Sequence, residues 1–345
     1  MRNFFAITPD DFATYVLALG EKSFRVKQVY NWVFRQMQSD FSQMTNLSEK
    51  FRAKLTAEFT TALPKIILRS KSKDGTTKYL LELFDGSKIE MVLMPSEKKN
   101  TLCVSSQVGC ARACQFCATA NLGLKRNLQV DEILGQVYLA LKELGENRLT
   151  NIVFMGMGEP LDNYDNLVQA IKLLQNEQAF CFSPRRITVS TCGIIPKIEE
   201  LAESGLKVKL AVSLNAAIDA KRDVLMPINK KYPLAELKKS LIDFRKKTNF
   251  RITFEYVMIK NFNMGKDDLK AIKRFLGDIS CKINLIAWNP VDGLDYLSPS
   301  EDEIDKFTNE LHVLSAAVTR RKSRGNDIDA ACGQLAAKAK EASNE

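Results

Sequence analysis

From residue 101 to residue 325, short β-rich runs alternate with amphipathic stretches, and this alternation limits the possible folds more than any other feature. The helical stretches include VDEILGQVYLALKELG and PLAELKKSLIDFRKK. The strand candidates are TLCVSS, TNIVFMG, RRITVST, VKLAVSL, RITFEYVMI and CKINLIAWN, followed by a weaker one in HVLSAAVTRR. About six βα units predict a parallel sheet covered by helices, either open or closed into a barrel. Functional groups are then expected at the carboxyl ends of the strands.

The chain before residue 96 has a different pattern. Residues 9–59 carry apolar side chains at helical spacing, whereas KYLLELFDGSKIEMVLMP has a period of two and a turn at Asp85-Gly86. We therefore expect a small helical accessory domain with a β-hairpin extension over residues 1–95, followed by the α/β barrel over 96–325. A C-terminal loop and tail would occupy 326–345, and the closing AAKAKEASNE is expected to be partly disordered.

Charge and composition indicate the class of protein and of partner. The chain is 45% apolar and 26% charged, which excludes collagenous and largely disordered chains. Its net charge is +9, and 13 Lys and Arg against 7 Asp and Glu lie within residues 1–78, so the accessory domain is expected to bind a polyanion such as a nucleic acid. No apolar run reaches the ~18 residues of a membrane span, and the start lacks a secretory signal. We expect a cytoplasmic protein without a membrane partner.

Three of the eight cysteines form the pattern C-x3-C-x2-C directly after the first strand of the barrel: Cys110, Cys114 and Cys117. Eight cysteines without an export signal indicate metal or redox chemistry rather than a disulfide scaffold. A structural zinc site needs four ligands, and the single histidine, His312, lies far along the chain. Three thiolates can instead hold three irons of a cubane cluster and leave the fourth iron open to a ligand. The alternative is three buried core cysteines.

This cysteine pattern is the signature of the radical S-adenosylmethionine superfamily, which the chain resembles over residues 101–325. The resemblance implies a partial (β/α)6 TIM-like barrel, a [4Fe-4S] cluster on the three cysteines, and S-adenosylmethionine as cofactor. The second strand runs into MGMGEP, where Gly158 and Glu159 match the superfamily's site for the cofactor amino group. Polar positions at later strand ends are the other expected cofactor ligands: Ser190, Ser213, Leu214, Asn215 and Asn289.

Longer motifs narrow the class: LCVSSQVGC, MGMGEPL, MPINKKYP, INLIAWNP and IDAACGQL. Together they resemble the RlmN-type dual-specificity ribosomal and transfer RNA adenine-C2 methyltransferases. The resemblance implies that Cys332 carries the methyl group as S-methylcysteine, that Glu90 removes the C2 proton, and that Cys103 releases the product through a transient disulfide with Cys332. It also implies two S-adenosylmethionine molecules per turnover, an external electron donor and a disulfide reductant. The expected substrates are an adenosine in the peptidyl-transferase loop of 23S rRNA and one next to the anticodon of tRNA, and we expect a monomer.

Two alternatives stay open at this point. The related enzymes that methylate adenine C8 share these motifs, although Pro160 of MGMGEPL fits the C2 enzymes and the C8 relative tends to have Ala there. A non-catalytic iron- or zinc-bearing RNA-binding protein would leave Glu90, Cys103 and Cys332 without a role. Many relatives have histidine where this chain has Asn215, so a titrating group is not expected at that position. Basic residues including Arg185, Arg186 and Arg320–Lys322 are candidate phosphate contacts.

Overall fold

The computed structural model describes residues 1–97 and 99–337. The strands are β1 (Arg2–Asn3), β2 (Phe59–Thr60), β3 (Lys65–Lys71), β4 (Thr77–Glu82), β5 (Lys88–Met94), β6 (Thr101–Cys103), β7 (Gln107–Gly109), β8 (Leu124–Asn127), β9 (Asn151–Phe154), β10 (Ile187–Thr191), β11 (Lys209–Ser213), β12 (Ile252–Met258), β13 (Cys281–Ala287) and β14 (Ala317–Arg320). The helices are α1 (Pro9–Ala18), α2 (Phe24–Tyr30), α3 (Glu49–Glu58), α4 (Val130–Leu144), α5 (Tyr164–Gln175), α6 (Ile195–Glu203), α7 (Asp219–Leu225), α8 (Leu234–Thr248), α9 (Lys266–Leu276) and α10 (Glu301–Leu311). Most of the tail predicted to be disordered, residues 338–345, lies outside the described residues.

One sheet organises the chain, in the order β14-β13-β12-β11-β10-β9-β6-β5-β4-β3. Strands β6 and β9–β14 pair in parallel, each connected to the next through helices. All seven strand predictions after residue 101, including the weak last one, are confirmed. The α/β fold with a parallel sheet is therefore the predicted one, and the carboxyl ends of these strands lie along one rim.

The predicted hairpin is also present, and it continues the same sheet. Strands β4 and β5 pair antiparallel around the turn at Asp85-Gly86, where Gly86 has a φ of 77°. Strand β5 then pairs antiparallel with β6, with Val92 opposite Cys103. Strand β3 was not predicted, because it is an edge strand whose half-exposed residues lack a regular apolar period. The division of the chain at residues 95 and 96 stays a prediction, since the sheet runs across it.

The helical N-terminal region was predicted correctly, and an aromatic cluster holds it to the barrel. Phe4 is fully buried, and its ring lies 5.0 to 6.4 Å from five other aromatic rings of this region: Phe12, Tyr30, Phe34, Phe41 and Phe59. The neighbouring Phe5 packs on Tyr138 of α4, with ring centroids 4.6 Å apart. Such pairs add to the burial of apolar area, which stabilises the packing of this region on the barrel.

After β14 the chain crosses back to the hairpin, and side chains anchor it there. Ser72 Oγ donates to Asp327 Oδ1 at 2.6 Å, and Arg324 Nη2 donates to the carbonyl of Asp74 at 2.8 Å. Further on, Thr119 Oγ1 donates to the carbonyl of Leu335 at 2.6 Å. The segment that carries Cys332 is thus held at both ends across the carboxyl rim of the sheet. In residues 1–97 and 99–337, no helix has both the length and the apolar character to span a membrane.

We predict that Phe4→Ala lowers the free energy of unfolding by about 3 to 5 kcal/mol, because it leaves a cavity inside the aromatic cluster. The matched control is Phe84→Ala, since the Phe84 side chain is 59% exposed and its loss should change stability by less than about 0.5 kcal/mol. Urea denaturation followed by tryptophan fluorescence measures both. Equal stability of the two variants would contradict the packing role of Phe4.

Candidate active site

The three clustered cysteines lie in a loop that a small β-hairpin holds in shape. Strands β7 and β8 pair antiparallel, and the amide of Cys110 donates to the carbonyl of Gly123 at 2.9 Å. A Cβ on Gly109 would lie 1.8 Å from that carbonyl oxygen, so only glycine fits there. Burial raises the pKa of all three thiols, that of Cys110 to about 11. Neutral thiols are favoured here until a metal replaces their protons.

All three cysteines line one cavity, named here the cluster cavity, together with Gly158, Glu159, Ser190, Ser213, Asn215, Glu255, Arg321 and Cys332. Within the described residues, no three His, Cys, Asp or Glu side chains converge on a position for a single metal ion. A cubane cluster does not need such convergence, because each thiolate binds a different iron. Three cysteines on one cavity wall therefore fit a [4Fe-4S] cluster better than a mononuclear zinc ion.

Glu159, a predicted cofactor ligand, is a buried carboxylate that joins neighbouring strand ends. Its Oε2 accepts the amide of Cys192 at 2.8 Å and its Oε1 accepts the amide of Leu161 at 3.1 Å. Its own amide donates to Gln107 Oε1 at 2.8 Å. Burial raises the pKa of this carboxyl, and the two amide bonds oppose that rise. The preceding Gly158 has a φ of 97°, and a Cβ there would lie 2.5 Å from Gln107 Cβ.

Five further positions were predicted as cofactor ligands, and the structure brings three of them into the cluster cavity: Ser190, Ser213 and Asn215. Leu214 is fully buried, and its amide donates to the carbonyl of Glu255 at 2.9 Å. Asn289 instead donates from Nδ2 to the carbonyl of Cys332 at 3.1 Å. It thus contacts the loop that carries Cys332.

Asn215 lies just after β11, and its backbone conformation suits the asparagine that stands there. Its φ of 55° lies in the left-handed region, which Asn and His both enter more readily than most residues. Its Oδ1 accepts the amide of Val257 at 3.0 Å, and its carbonyl accepts Asn263 Nδ2 at 2.7 Å. The side chain therefore fixes the end of β11 against the end of β12 without a titrating group.

Sequence reasoning missed Arg222, the largest fully buried side chain of the described residues. Its guanidinium donates to the carbonyls of Cys192 at 2.7 Å, Ser213 at 3.1 Å and Leu214 at 3.1 Å. A fourth bond reaches Asn229 Oδ1 at 2.9 Å. Arg222 precedes the motif MPINKKYP, but a charged residue on a short helix gives no sequence signal of burial.

The predicted pair Cys103 and Cys332 meets at a second cavity, named here the thiol cavity, lined by both residues with Val92, Cys117, Met155, Arg321 and others. Cys103 is 8% exposed at the end of β6, whereas Cys332 is exposed, and both are free thiols. Cys117, Arg321 and Cys332 also line the cluster cavity. The loop thus brings the two distant cysteines to one cavity, beside Cys117.

Glu90 lies close to the same loop but lines a different cavity, with Lys78, Asp329, Gln334 and Ala336 among its neighbours. It is fully buried, and its Oε1 lies 3.0 Å from Lys78 Nζ. Its Oε2 accepts the amides of Ala336 at 2.9 Å and Ala337 at 3.1 Å. The structure therefore brings Glu90 to the segment that follows Cys332, not into the thiol cavity itself.

The candidate phosphate contacts at Arg320 and Arg321 are not free basic residues. Arg320 forms ion pairs with Glu301 and Asp305 of α10 on the outer surface. Arg321 lines both the cluster cavity and the thiol cavity. Glu255, which sequence reasoning also missed, stands in the cluster cavity with its Oε1 accepting Asn284 Nδ2 at 2.8 Å.

Comparisons with known proteins identify relatives of this chain. Residues 104–276 match the family model described as the radical SAM superfamily, and residues 2–60 match the ribosomal RNA large subunit methyltransferase N-terminal domain. The chain is 42% identical over 339 residues to a probable dual-specificity RNA methyltransferase RlmN of Dictyoglomus turgidum, covering 98% of this chain and 97% of that protein. It is 46% identical over 330 residues to the corresponding protein of Geotalea uraniireducens, covering 95% and 94%. The chain belongs to the RlmN family.

A solved structure supports the same assignment at the level of the fold. The crystal structure of a radical SAM methyltransferase from Sphaerobacter thermophilus superimposes with a TM-score of 0.94, at 39% identity, covering 98% of this chain and 100% of that chain. RlmN proteins are radical SAM enzymes, so membership implies a [4Fe-4S] cluster and S-adenosylmethionine. The cluster cavity is the part of this chain that fits both.

We predict that Arg222→Met lowers the free energy of unfolding by about 3 kcal/mol, because three buried carbonyls lose their donor. The same change should weaken binding of S-adenosylmethionine, since Ser213 and Cys192 lie on the rim of the cluster cavity. Arg245→Met, at an exposed position of α8, is the control. Thermal unfolding and isothermal titration of the reconstituted protein measure the two effects. An Arg222→Met protein as stable as the control would contradict the role of Arg222 in joining these strand ends.

Proposed function

We propose that this RlmN-family protein methylates C2 of adenosine in 23S rRNA and in tRNA, through a methyl group carried by Cys332. The observation that carries the proposal is that Cys332 lines both cavities. Cys332 stands at their junction, with the cluster cysteines on one side and Cys103 on the other. A carrier thiol needs access to a methyl donor, to a radical source and to a second thiol, and this position provides all three.

The chemistry of the target atom explains why two cysteines are needed. C2 of adenine is an electron-poor carbon without a lone pair, so it cannot attack a sulfonium methyl group directly. When bound, the cluster supplies the electron that cleaves S-adenosylmethionine to a carbon radical. Cys332, in its thiolate form, would first accept a methyl group from one S-adenosylmethionine. The S-methyl group, after losing a hydrogen atom to the radical, would add to C2 and join protein to RNA. Two S-adenosylmethionine molecules are consumed per turnover.

Cys103 and Glu90 would complete the reaction. After Glu90 takes the C2 proton and one electron passes from the adduct to the cluster or another acceptor, a closed-shell thioether would join Cys332 to C2. Cys103 would then attack the sulfur of Cys332, so that the base leaves, gains a proton on its new methyl group, and a disulfide remains. Both free thiols line the thiol cavity in the reduced protein, which supports their pairing. An external thiol reductant would restore the pair.

RNA as the substrate class is supported by the names of the relatives, which are RNA methyltransferases, and by the N-terminal match to a ribosomal RNA methyltransferase domain. The basic excess of residues 1–78 suits a phosphate backbone. We also propose that the protein acts as a monomer in the cytoplasm with an external electron donor. Sedimentation of the reconstituted protein with and without RNA measures its oligomeric state and so tests whether it is a monomer.

We predict that the reconstituted protein forms 2-methyladenosine in protein-free 23S rRNA and that Cys332→Ala abolishes it, because no carrier thiol remains. Cys103→Ala should instead accumulate a covalent protein–RNA adduct that ribonuclease removes. Anaerobic assays with nucleoside mass spectrometry and denaturing gels measure both. Cys181→Ala is the control, since Cys181 is an exposed free thiol outside both cavities.

Two results would overturn parts of this proposal. Formation of 8-methyladenosine would retain the two-cysteine chemistry and refute the C2 assignment. Formation of 5′-deoxyadenosine without any methylated adenosine, in either RNA, would retain the radical cofactor and refute the substrate.

We predict that Glu90→Gln lowers the methylation rate by about a hundredfold or more, because a positioned base typically contributes at least that factor. Methylation of Cys332 itself should persist, since that step removes no proton from C2. Peptide mass spectrometry of Cys332 and the nucleoside assay separate the two steps. Loss of methyl from Cys332 in Glu90→Gln would show that Glu90 acts on the loop instead.

A further inference from the structure

A groove lined with lysines lies at the carboxyl rim of the sheet, where the loop after β12 meets α9 and α10. It is named here the lysine groove, and its six lysines are Lys221, Lys260, Lys266, Lys270, Lys273 and Lys306. Among the described residues, three acidic side chains line the same groove: Asp268, Glu303 and Glu310. The groove therefore carries an excess of positive charge, which favours a polyanionic ligand.

Ion pairs inside the groove neutralise half of its lysines. Each acidic side chain pairs with one lysine: Asp268 with Lys221 at 2.7 Å, Glu303 with Lys260 at 3.0 Å and Glu310 with Lys273 at 3.6 Å. Lys270 comes no closer than 3.9 Å to Asp267, and both of these side chains are at least 80% exposed. Within the described part of the chain, Lys266 and Lys306 are exposed and have no ion-pair partner. These three ammonium groups are available to an anion.

The lysine groove adjoins the cluster cavity. Asn263, in the loop after β12, is fully buried, and its Nδ2 donates at 2.7 Å to the carbonyl of Asn215, which lines the cluster cavity. The ring of Tyr296 lies 6.2 Å from that of Phe262 in the groove and 5.8 Å from that of Trp288 in the cavity. One loop and one aromatic ring therefore connect the groove to the cavity.

We propose that the lysine groove binds phosphates of the RNA strand that flanks the target adenosine. The proposal rests on the proposed function, in which an adenosine enters the site at this rim. A base that enters such a site has to leave its stack, so the strand on either side of it continues over the surface beside the cavity. Lysines bind phosphates as point charges, and such contacts position the strand without reading its sequence.

The test is the salt dependence of RNA binding by the cluster-loaded protein. The probe is a labelled fragment of 23S rRNA that contains the peptidyl-transferase loop, and fluorescence anisotropy gives its affinity at each salt concentration. We predict that Lys266→Gln/Lys306→Gln binds this RNA more weakly. The slope of log affinity against log salt should become shallower by about 1.4, because each phosphate contact on a single strand contributes about 0.7.

The matched control is Lys207→Gln/Lys246→Gln, which removes the same charge from two exposed positions. Lys207 precedes β11, and Lys246 lies in the last turn of α8, shortly before β12. Both positions are thus near the amino ends of the strands, on the opposite rim of the sheet. This variant should keep the slope of the wild type.

A second measurement locates the contact on the RNA. Methylphosphonate linkages, which carry no charge, replace the phosphates next to the target adenosine in a short synthetic RNA. This RNA should bind the wild type and Lys266→Gln/Lys306→Gln with nearly equal affinity, whereas the unmodified RNA should bind the wild type more tightly.

Three outcomes would overturn the proposal: a Lys266→Gln/Lys306→Gln slope equal to that of the wild type, an equal change of slope in the control, or a difference between the two proteins that survives the uncharged linkages. These measurements need no turnover. Wild-type protein that binds the RNA but forms no methylated adenosine would refute the proposed function, while the salt slopes would still decide whether the lysine groove binds RNA.

Discussion

The buried bonds that join successive strand ends are the constraint on which the site depends. Glu159 links the loop after β9 to the amide of Cys192, and Arg222 links the carbonyl of Cys192 to that of Leu214. The ends of β9, β10 and β11 are thereby joined in turn by two buried side chains, Glu159 and Arg222. Breaking either link leaves unsatisfied buried groups, so the rim is held in shape before any ligand binds.

Four thiols that are partly or fully buried lie along this rim. Burial raises the pKa of Cys103 and of Cys110, Cys114 and Cys117, which disfavours their charged forms. Under the proposed function, iron would take the charge of the three clustered thiolates, whereas Cys103 and Cys332 share their cavity with Arg321.

The sequence was sufficient to predict the parallel sheet, the helical N-terminal region and the hairpin, because their apolar periods are regular. It also indicated the cluster cysteines and most of the rim, since those residues follow strands directly. It did not indicate β3, whose edge position leaves a weak pattern, nor Arg222, Glu255 and Arg321 as interior groups. Charged residues are usually exposed, and only three-dimensional packing shows which of them face a cavity. Arg320 and Arg321 are adjacent in the chain yet serve opposite surfaces.

The contacts of Glu90 tie the hairpin to the C-terminal loop. Its Oε2 accepts two backbone amides from Ala336 and Ala337, and its Oε1 faces Lys78. A buried carboxylate needs such partners, and here they come from β4 and from the segment that follows Cys332. The hairpin therefore helps to hold the loop that carries Cys332 over the rim, together with the bonds of Ser72 to Asp327 and of Arg324 to Asp74.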